Sequence, residues 1–198
     1  MATLGRLACF CALYGESREV NPPETIELPR IRLRRPALAD AEAIFEYGSD
    51  PQVARYADWP VCTSVDQIVE SLRGRSARWE SGAEFYWVIT LLPEDRAIGG
   101  ISCCVVEDSV EVGFLLNRRY WGNGLATEAA RAIVEWVLSI PSIRRVWATC
   151  DTENLASARV LEKAGLSREG TLRRWVVRPN ISSQPRDAFI YSHVRPAA

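Results

Sequence analysis

The sequence contains almost no lysine or histidine. Among its 198 residues Lys163 is the only lysine and His193 the only histidine, so the other basic residues are arginines. A Walker-type phosphate loop requires Gly-Lys-Ser/Thr, whereas Lys163 lies in Glu-Lys-Ala-Gly, which excludes that class of nucleotide-binding protein. A pyridoxal enzyme would have only Lys163 for its Schiff base, and a Ser-His-Asp hydrolase would have only His193, near the end of the sequence. The sequence favours neither chemistry.

The six cysteines include no Cys-x-x-Cys pair, which argues against a zinc ribbon or a thioredoxin-like site. We interpret them as small apolar side chains in a reducing cytoplasm, and we expect no metal site. The net charge is -1, so no basic excess indicates a nucleic-acid partner. The apolar run at residues 7–14 is too short for a membrane span. The sequence therefore predicts a cytoplasmic protein without a nucleic-acid or membrane partner.

Length and composition are those of one globular domain with an extension. Hydrophobic residues make up 47% and charged residues 25% of the chain, which is enough apolar material for a core. Residues 1–29 differ from the rest, and we expect them to form a flexible N-terminal extension with Asn21-Pro22-Pro23 as its linker. The functional domain would then span residues 30–198.

Hydrophobic periodicity from residue 30 onward predicts elements in the order βααβββαβαββ. The predicted strands are 31–34, 85–92, 97–106, 110–116, 144–150, 172–177 and 188–194. The predicted helices begin at residue 40 and cover 64–79, 125–140 and 154–164. Only the two strands that flank the 125–140 helix need be parallel. The fold class is α/β with a mixed α+β sheet, which is central, mostly antiparallel and flanked by helices.

The loop between strand 110–116 and helix 125–140 carries the most informative pattern. It reads Arg-Arg-Tyr-Trp-Gly-Asn-Gly at residues 118–124. Two glycines allow the backbone to approach a ligand closely, and the helix that follows offers unpaired N–H groups and the positive end of its dipole. This combination suits an anion such as a pyrophosphate. The third glycine of the dinucleotide fingerprint is missing, because Thr127 takes its place. Glu128, in the first helical turn, is interpreted as structural.

Two segments resemble the signature of the GNAT acyl-CoA N-acyltransferases, in its RimJ/RimL-type branch of ribosomal-protein N-terminal acetyltransferases: 111–116 (EVGFLL) and 120–129 (YWGNGLATEA). The segments 154–157 (NLAS) and 161–166 (LEKAGL) resemble the next motif of that branch. Residues 33–36, Asp40 and residues 49–54 resemble its opening. The resemblance covers about residues 30–195, in order and with consistent spacing. It implies the GNAT-type fold, in which the parallel pair of strands is splayed.

The resemblance also implies a reaction and a set of site residues. An acyl group, acetyl, would pass from acetyl-CoA as cosubstrate to an amine, and no metal would be needed. Backbone groups of Leu115 and Leu116 would hold the pantetheine arm in the manner of an added strand. Asn154 and Ser157 would lie beside the thioester sulfur. Backbone amides of the loop and helix start would bind the pyrophosphate, namely those of Trp121, Gly122, Asn123, Gly124, Leu125 and Ala126.

The superfamily pattern Gln/Arg-x-x-Gly-x-Gly/Ala fits the loop in two registers. One begins at Arg119 and includes Gly122 and Gly124, whereas the other is shifted by two residues and includes Gly124 and Ala126, with Trp121 in first place. We favour the shifted register, which matches the branch and puts a small residue, Ala126, where the helix must approach closely. Arg119 then either contacts phosphate or faces solvent.

Glu111 is the candidate general base, because an amine acceptor arrives mostly protonated and must lose a proton. Its alternative is a strand-edge ion pair with an arginine. Ser157 is the candidate general acid toward the leaving thiolate, and helix capping is its alternative. Tyr56, Trp59 and Cys62 lie in the stretch that roofs the acceptor site in this family, as substrate walls or as core.

The hypothesis is an N-acetyltransferase that acts on a primary amine, a protein N-terminal α-amine. Two alternatives stay open. One is a small-molecule N-acetyltransferase that acts on an antibiotic, a polyamine or an amino acid, and the other is a non-catalytic acyl-CoA-binding module. Acceptor specificity depends on the shape of loops, which the sequence does not give. The oligomeric state is open as well, with a homodimer as one alternative.

Overall fold

Eight strands build one mixed sheet in this computed structural model, which describes residues 20–196. They are β1 Thr25–Glu27, β2 Ile31–Arg34, β3 Glu84–Leu91, β4 Arg96–Val106, β5 Ser109–Leu116, β6 Arg145–Asp151, β7 Ser167–Arg178 and β8 Ser182–Val194. Their spatial order is β1-β2-β3-β4-β5-β6-β8-β7. Every neighbouring pair is antiparallel except β5–β6, which confirms the predicted mixed sheet with one parallel pair.

Five α-helices accompany the sheet within the described residues. They are α1 Ala41–Gly48, α2 Pro51–Ala54, α3 Val65–Glu80, α4 Leu125–Ser139 and α5 Leu155–Lys163. Three of them begin at a residue whose side chain accepts a backbone hydrogen bond, namely Asp50, Ser64 and Asn154. Such caps satisfy N–H groups that have no partner within the helix, so the polar residues fix where these helices start.

Alternating side chains of the central strands supply two cores, one on each face of the sheet. Trp87 and Val112 pack with α4 and α5 on one face, and Val88 packs with α1 and α3 on the other. The edge of the first core is a cluster of aromatic rings with centroids 5.1 to 6.4 Å apart, formed by Trp79, Phe85, Trp87 and Trp136. The two helical layers are thereby fixed to a common sheet.

The first strand of the sheet begins before residue 31, where the first predicted strand began. β1 pairs with β2, and the Pro23 carbonyl accepts a hydrogen bond of 2.8 Å from the indole Nε1 of Trp87. A three-residue strand is too short to show a periodicity, which is why the pattern missed it. The flexible extension was predicted for residues 1–29, of which residues 1–19 lie outside the described residues.

Other differences from the prediction concern short or interrupted elements, in which a local periodicity is again hard to detect. α2 has four residues, and β7 and β8 are longer than predicted. The pairing of β7 with β8 shifts register three times, and Arg174, which lies within the second shift, has a positive φ of 47°. Each bulge interrupts the two-residue alternation on which the prediction of a strand depends.

The parallel pair is short, and this positions the site. Residues 109–111 of β5 pair with 145–147 of β6, and the described residues give no further pairs between these strands. Both strands continue, so a gap opens in the middle of the sheet. The C-terminal ends of parallel strands meet at one edge, and therefore the loop before α4 and the start of α5 meet at this gap.

Candidate functional site

A cavity of about 1580 Å³ lies at the gap between β5 and β6 and reaches α3. Its lining includes residues of β5, of the loop before α4 and of the start of α5, together with residues of the elements around them. The predicted site residues that line it are Glu111, Leu115, Leu116, Trp121, Gly122, Gly124, Leu125, Ala126, Asn154 and Ser157, whereas Asn123 is outside its lining. The candidates for cofactor binding and for catalysis therefore face one cleft.

The loop before α4 presents backbone amides at one end of this cleft. Gly122 and Gly124 have φ values of 77° and 76°, a left-handed conformation that side chains with a Cβ rarely adopt. The first intrahelical hydrogen bond joins Glu128 N–H to the Gly124 carbonyl at 3.0 Å, so the N–H groups of residues 125–127 precede the bonding pattern of the helix. Free amides of this kind, together with the positive end of the helix dipole, suit an anion.

Arg30 holds the loop and the helix start together. Its Nε donates to Glu128 Oε2 at 2.7 Å, its backbone N–H to Glu128 Oε1 at 3.1 Å, and its Nη1 to the Asn123 carbonyl at 2.8 Å. Glu128 thus has the structural role predicted for it. Sequence reasoning missed Arg30, because 98 residues separate the two partners and no local pattern links them.

The backbone of β5 alternates between its two edges. Asn117 N–H, just past the strand, donates to the Ile98 carbonyl at 2.7 Å, so the odd-numbered residues at this end exchange hydrogen bonds with β4. Leu115 therefore uses its backbone groups within the sheet, whereas Phe114 and Leu116 direct theirs toward the gap. This corrects the expectation that Leu115 and Leu116 both hold a pantetheine arm. Backbone hydrogen-bonding groups alternate between the two edges of a strand, so two adjacent residues cannot both direct them to the same edge.

Trp121 connects the loop to this edge. Its indole Nε1 donates to the Leu116 carbonyl at 2.7 Å, while 47% of the residue stays exposed beside the cleft. The loop is further braced by Asn123, whose Nδ2 lies 3.3 Å from the Tyr120 carbonyl and 3.2 Å from the Trp121 carbonyl. The side chain of Asn123 thus holds the turn.

The two arginines of the loop face away from its amides. Arg119 Nη1 lies 3.1 Å from Glu46 Oε1, and Arg118 Nε donates to Asp50 Oδ2 at 2.9 Å. Both side chains are directed to α1 and to the start of α2. Arg119 therefore forms a surface ion pair, which agrees with the shifted register of the glycine pattern.

Glu111 carries its carboxyl group into the cleft from the α1 and α3 face of the sheet. Burial, and next the charge of Asp58, raise the pKa of Glu111 to about 7, whereas the charge of Arg178 lowers it. No ion pair joins Glu111 to an arginine among residues 20–196, which argues against the alternative of a strand-edge pair. A carboxylate with this pKa can take up a proton near neutral pH.

The sequence left open whether Ser157 is a general acid or the cap of α5, and the structure assigns the cap to Asn154. Asn154 Oδ1 accepts the Ser157 backbone N–H at 3.2 Å, so the cap of α5 is the asparagine. The Ser157 hydroxyl is not needed for capping, and the residue lines the cleft. This arrangement leaves the hydroxyl available to a ligand.

Aromatic residues from two parts of the chain wall the end of the cleft that the sequence predicts for the acceptor. Tyr56 and Trp59 lie in the segment between α2 and α3, and Trp175 comes from β7 with 47% of its surface exposed. Cys62 is buried in the core with α1 and α3, yet it also borders the cavity. The first two were predicted for this wall, whereas Trp175 was missed because the bulges in β7 hide its pattern.

The turn between β7 and β8 is attached to this wall through one side chain. Asn180 Nδ2 donates to the Ala54 carbonyl at 2.7 Å and to the Trp59 carbonyl at 2.8 Å, and its Oδ1 accepts the Val61 N–H at 3.1 Å. All three bonds go to backbone of residues 54–61, which we call the roof segment. Asn180 thus fixes the roof segment to the turn between β7 and β8.

The cysteines at the cleft are unsuited to nucleophilic chemistry. Burial raises the pKa of Cys104 well above that of an ordinary thiol and the pKa of Cys150 to about 11. Their thiols therefore stay protonated at neutral pH, and the thiolate is the reactive form. Cys62, Cys103, Cys104 and Cys150 are free and buried, in agreement with the interpretation of small apolar side chains.

No group of three or more His, Cys, Asp or Glu residues within 20–196 could hold a metal ion. In the same range, no helix has both the length and the apolar character required to span a membrane.

Comparison with known proteins relates the sequence to one family. Residues 30–167 match the family model described as an acetyltransferase (GNAT) domain. The chain is 34% identical over 159 residues to the uncharacterised N-acetyltransferase YnaD of Bacillus subtilis (strain 168), an alignment that covers 78% of this chain and 89% of YnaD.

Solved structures share the fold. A GNAT-family acetyltransferase from Bacillus anthracis has a TM-score of 0.75 at 27% identity, with 86% of this chain and 98% of that chain covered. RimL, a ribosomal L7/L12 α-N-protein acetyltransferase solved with coenzyme A, has a TM-score of 0.76 at 19% identity, and again 86% of this chain and 98% of that chain are covered. At that identity the likeness to RimL concerns the fold.

Proposed function

The chain belongs to the acetyltransferase (GNAT) domain family, and on that premise we propose that it transfers an acetyl group from acetyl-CoA to a protein N-terminal α-amine. The observation that carries the proposal is the loop before α4, where two left-handed glycines and the amides of residues 125–127 face the cleft. Such a cradle fits a pyrophosphate, and acetyl-CoA contains one.

The edge of β5 supports the rest of the acyl donor. Phe114 and Leu116 direct backbone groups into the gap, where an extended pantetheine arm can take the place of the missing strand. Trp121 fixes the Leu116 carbonyl at the junction of loop and strand. The acetyl thioester, which supplies the electrophilic carbonyl, would then lie near Glu111 and Ser157.

The two candidate catalytic residues act on protons. Glu111 takes the proton of the acceptor ammonium, directly or through water, so that the free amine can attack the thioester carbonyl. Ser157 donates its hydroxyl proton to the departing thiolate sulfur. Both side chains line the same cleft from different strand-helix units, on either side of the gap.

The pKa values of the two kinds of amine, set against the carboxyl group of Glu111, favour an α-amine as the acceptor. With a pKa of about 7, this carboxyl group lies about 1 pH unit below a typical α-amine at ~8 and more than 3 below a lysine amine at ~10.4. Proton transfer from an α-ammonium is therefore the less uphill of the two. RimL, which shares the fold, is named as an α-N-protein acetyltransferase, and this supports the same acceptor class.

A release assay for free thiol tests the reaction. The protein is incubated with acetyl-CoA and with peptides, lysine side-chain mimics, polyamines or aminoglycosides as amine acceptors. We expect thiol release with peptides that have a free N-terminus, and little with N-terminally blocked peptides that retain lysine. Release with only polyamines or aminoglycosides would instead assign a small-molecule acceptor. A protein that binds acetyl-CoA and releases no thiol with any amine would contradict catalysis.

A matched pair of glycine variants tests the site assignment. Gly124→Val and Gly165→Val both place a β-branched residue at a positive φ, 76° and 94°, but Gly165 lies outside the cleft lining. We expect Gly124→Val to weaken acetyl-CoA binding by about tenfold or more, which corresponds to about 1.4 kcal/mol. Gly165→Val should keep the affinity of the unmodified protein. Unchanged affinity by calorimetry in folded Gly124→Val would refute the assignment.

A further inference from the structure

We propose that Arg178 recognises the oxygen that follows the amine of the acceptor, so that the site selects α-amino carbonyl compounds over plain amines. The shared chemical unit is an ammonium on a carbon whose neighbour carries a carbonyl or carboxylate oxygen. An N-terminal peptide and a free amino acid both contain it. The inference rests on the proposed function and adds a specificity residue to it.

The burial and hydrogen bonding of Arg178 support this role. Arg178 ends β7, is 9% exposed and lines the cleft. Its Nε has no hydrogen-bond partner among the described residues. Burial of a charged donor that lacks a partner is unfavourable, and such a group in a cleft is explained when a ligand supplies the acceptor.

The charged groups around Arg178 include the hydrogen-bond acceptor that the ammonium of the ligand requires. Burial lowers the pKa of Arg178, while the charges of the carboxylates Asp58, Asp151 and Glu111 act in the opposite direction. Asp151 is already held by Arg186, at 2.7 and 3.1 Å. Asp58 comes from the roof segment and Glu111 from β5, so Arg178 and Glu111 present a donor and an acceptor in one cleft.

This pair of groups complements an α-amino carbonyl unit. The ammonium is placed at Glu111, which the mechanism requires, and the neighbouring oxygen accepts a hydrogen bond from the Arg178 guanidinium. Hydrogen bonds that involve a charged partner are stronger and more directional than neutral ones. An alkylamine or a polyamine has no oxygen at this position and would leave the Nε–H of Arg178 without an acceptor.

The turn that follows Arg178 keeps its backbone in place. The Arg178 carbonyl accepts the Ile181 N–H at 2.8 Å, and Asn180 in the same turn is bound to the roof segment. The backbone from which the guanidinium extends is therefore fixed between the end of β7 and the roof segment. A preorganised donor of this kind adds specificity without ordering a loop.

The test compares matched acceptors and matched variants. The acceptors are Xaa-Ala-Ala tripeptides, the corresponding free amino acids and the corresponding alkylamines without the carbonyl carbon. The variants are Arg178→Met, which keeps an apolar stem, Arg178→Lys, which keeps a positive charge, and the control Arg173→Met, an exposed arginine of the same strand. Each protein is assayed for kcat and KM by thiol release, and for acceptor binding by calorimetry in the presence of coenzyme A.

We expect Arg178→Met to lower kcat/KM for the preferred carbonyl-bearing acceptor by about 10- to 100-fold, mainly through KM. Alkylamine turnover should change less than about twofold, Arg178→Lys should recover part of the loss, and Arg173→Met should match the unmodified protein. Preference for tripeptides over free amino acids would identify a protein N-terminus, and the reverse a small metabolite.

Two results would overturn the inference. One is an equal loss for alkylamines and tripeptides in Arg178→Met, which would indicate a structural role. The other is an unmodified protein that binds or uses alkylamines as well as tripeptides and amino acids. A failure of the proposed function gives a different signature, in which tripeptides bind in an Arg178-dependent manner but no thiol is released.

Discussion

At the scale of single residues, the surroundings of Glu111 explain why it can serve as a base. Its carboxyl group is partly buried beside Asp58, and the nearby Arg178 offsets only part of the unfavourable environment. The proton is therefore held to about pH 7, well above the usual range of a glutamate. A glutamate in water would be ionised throughout but would be too weak a base for an ammonium.

Replacement of Glu111 by glutamine tests this role. Because the folded pKa is about 7, kcat/KM of the unmodified protein should rise with pH through that value, as the carboxylate forms. Glu111→Gln should lower turnover at pH 7 by about 10²-fold and recover part of it at high pH, where free amine accumulates. The measurement is a pH profile of kcat/KM, with His193→Gln as a control that removes the only histidine. Near-normal turnover of Glu111→Gln at pH 7 would exclude Glu111 as the base.

Ser157 and Asn154 allow catalysis and capping to be separated. Ser157→Ala should lower kcat more than it lowers acetyl-CoA affinity, and it should leave the melting temperature nearly unchanged, because Asn154 caps α5. Asn154→Ala removes the cap and should lower the free energy of unfolding by about 1 kcal/mol. Steady-state kinetics and thermal unfolding of both variants give the comparison. Full turnover in Ser157→Ala would assign the thiolate proton to another donor, such as water.

At the scale of elements, the β7–β8 hairpin and the roof segment form one unit through Asn180. The roof segment has little regular structure of its own, and it carries Tyr56, Asp58 and Trp59. Three hydrogen bonds of one partly buried side-chain amide replace the support that a helix or strand would give. The acceptor wall is therefore held in place by an element that comes more than a hundred residues later.

Loss of this attachment should affect the acceptor more than the donor. Asn180→Ala removes all three bonds, and we expect the acceptor KM to rise several-fold, about 5- to 10-fold, with acetyl-CoA affinity unchanged. The control is Ser182→Ala, which loses only the hydrogen bond from Gln184 N–H at the start of β8, directly after the turn. Hydrogen exchange of residues 55–61 should be faster in Asn180→Ala alone. Equal increases in the KM of both substrates would show a general loss of structure.

At the scale of the whole molecule, the sheet is closed at one edge by residues that precede the predicted domain. β1 pairs with β2, and the Pro23 carbonyl satisfies the indole N–H of Trp87, a fully buried residue of the central aromatic cluster. The side chains of Val20, Ile26 and Leu28 also pack against the core. Residues 20–29 thus contribute to the folded unit, although the sequence placed them in an extension.

Two truncations distinguish this contribution from that of the preceding residues. Removal of residues 1–28 leaves the buried Trp87 N–H without its partner, which should cost about 1–3 kcal/mol and lower the melting temperature by several degrees. Removal of residues 1–19 should leave fold and turnover largely intact. Calorimetric melting curves of both proteins provide the test. An equal loss in the shorter truncation would show that residues 1–19 themselves stabilise the domain.

The sequence by itself determined the features that depend on local chemistry. A helix that buries one side repeats apolar residues with a period of 3.6, and this fixed α4 within one residue of its observed bounds. Gly122 and Gly124 indicated the anion loop, because few other residues adopt their backbone conformation. Glu111 could be assigned to a face of β5 because side chains along a strand alternate between its two faces.

Only the tertiary structure decided which groups meet across long separations in the chain. Arg30 reaches Glu128 over 98 residues, and Asn180 reaches Ala54 over 126. The sequence around Arg178 does not reveal that its Nε lacks a hydrogen-bond partner within the described part of the chain. The sequence around Leu115 does not reveal that its backbone groups are directed to β4 and not to the gap. Local patterns record the surface that an element buries, whereas a hydrogen-bond partner depends on where the sheet brings the other segment.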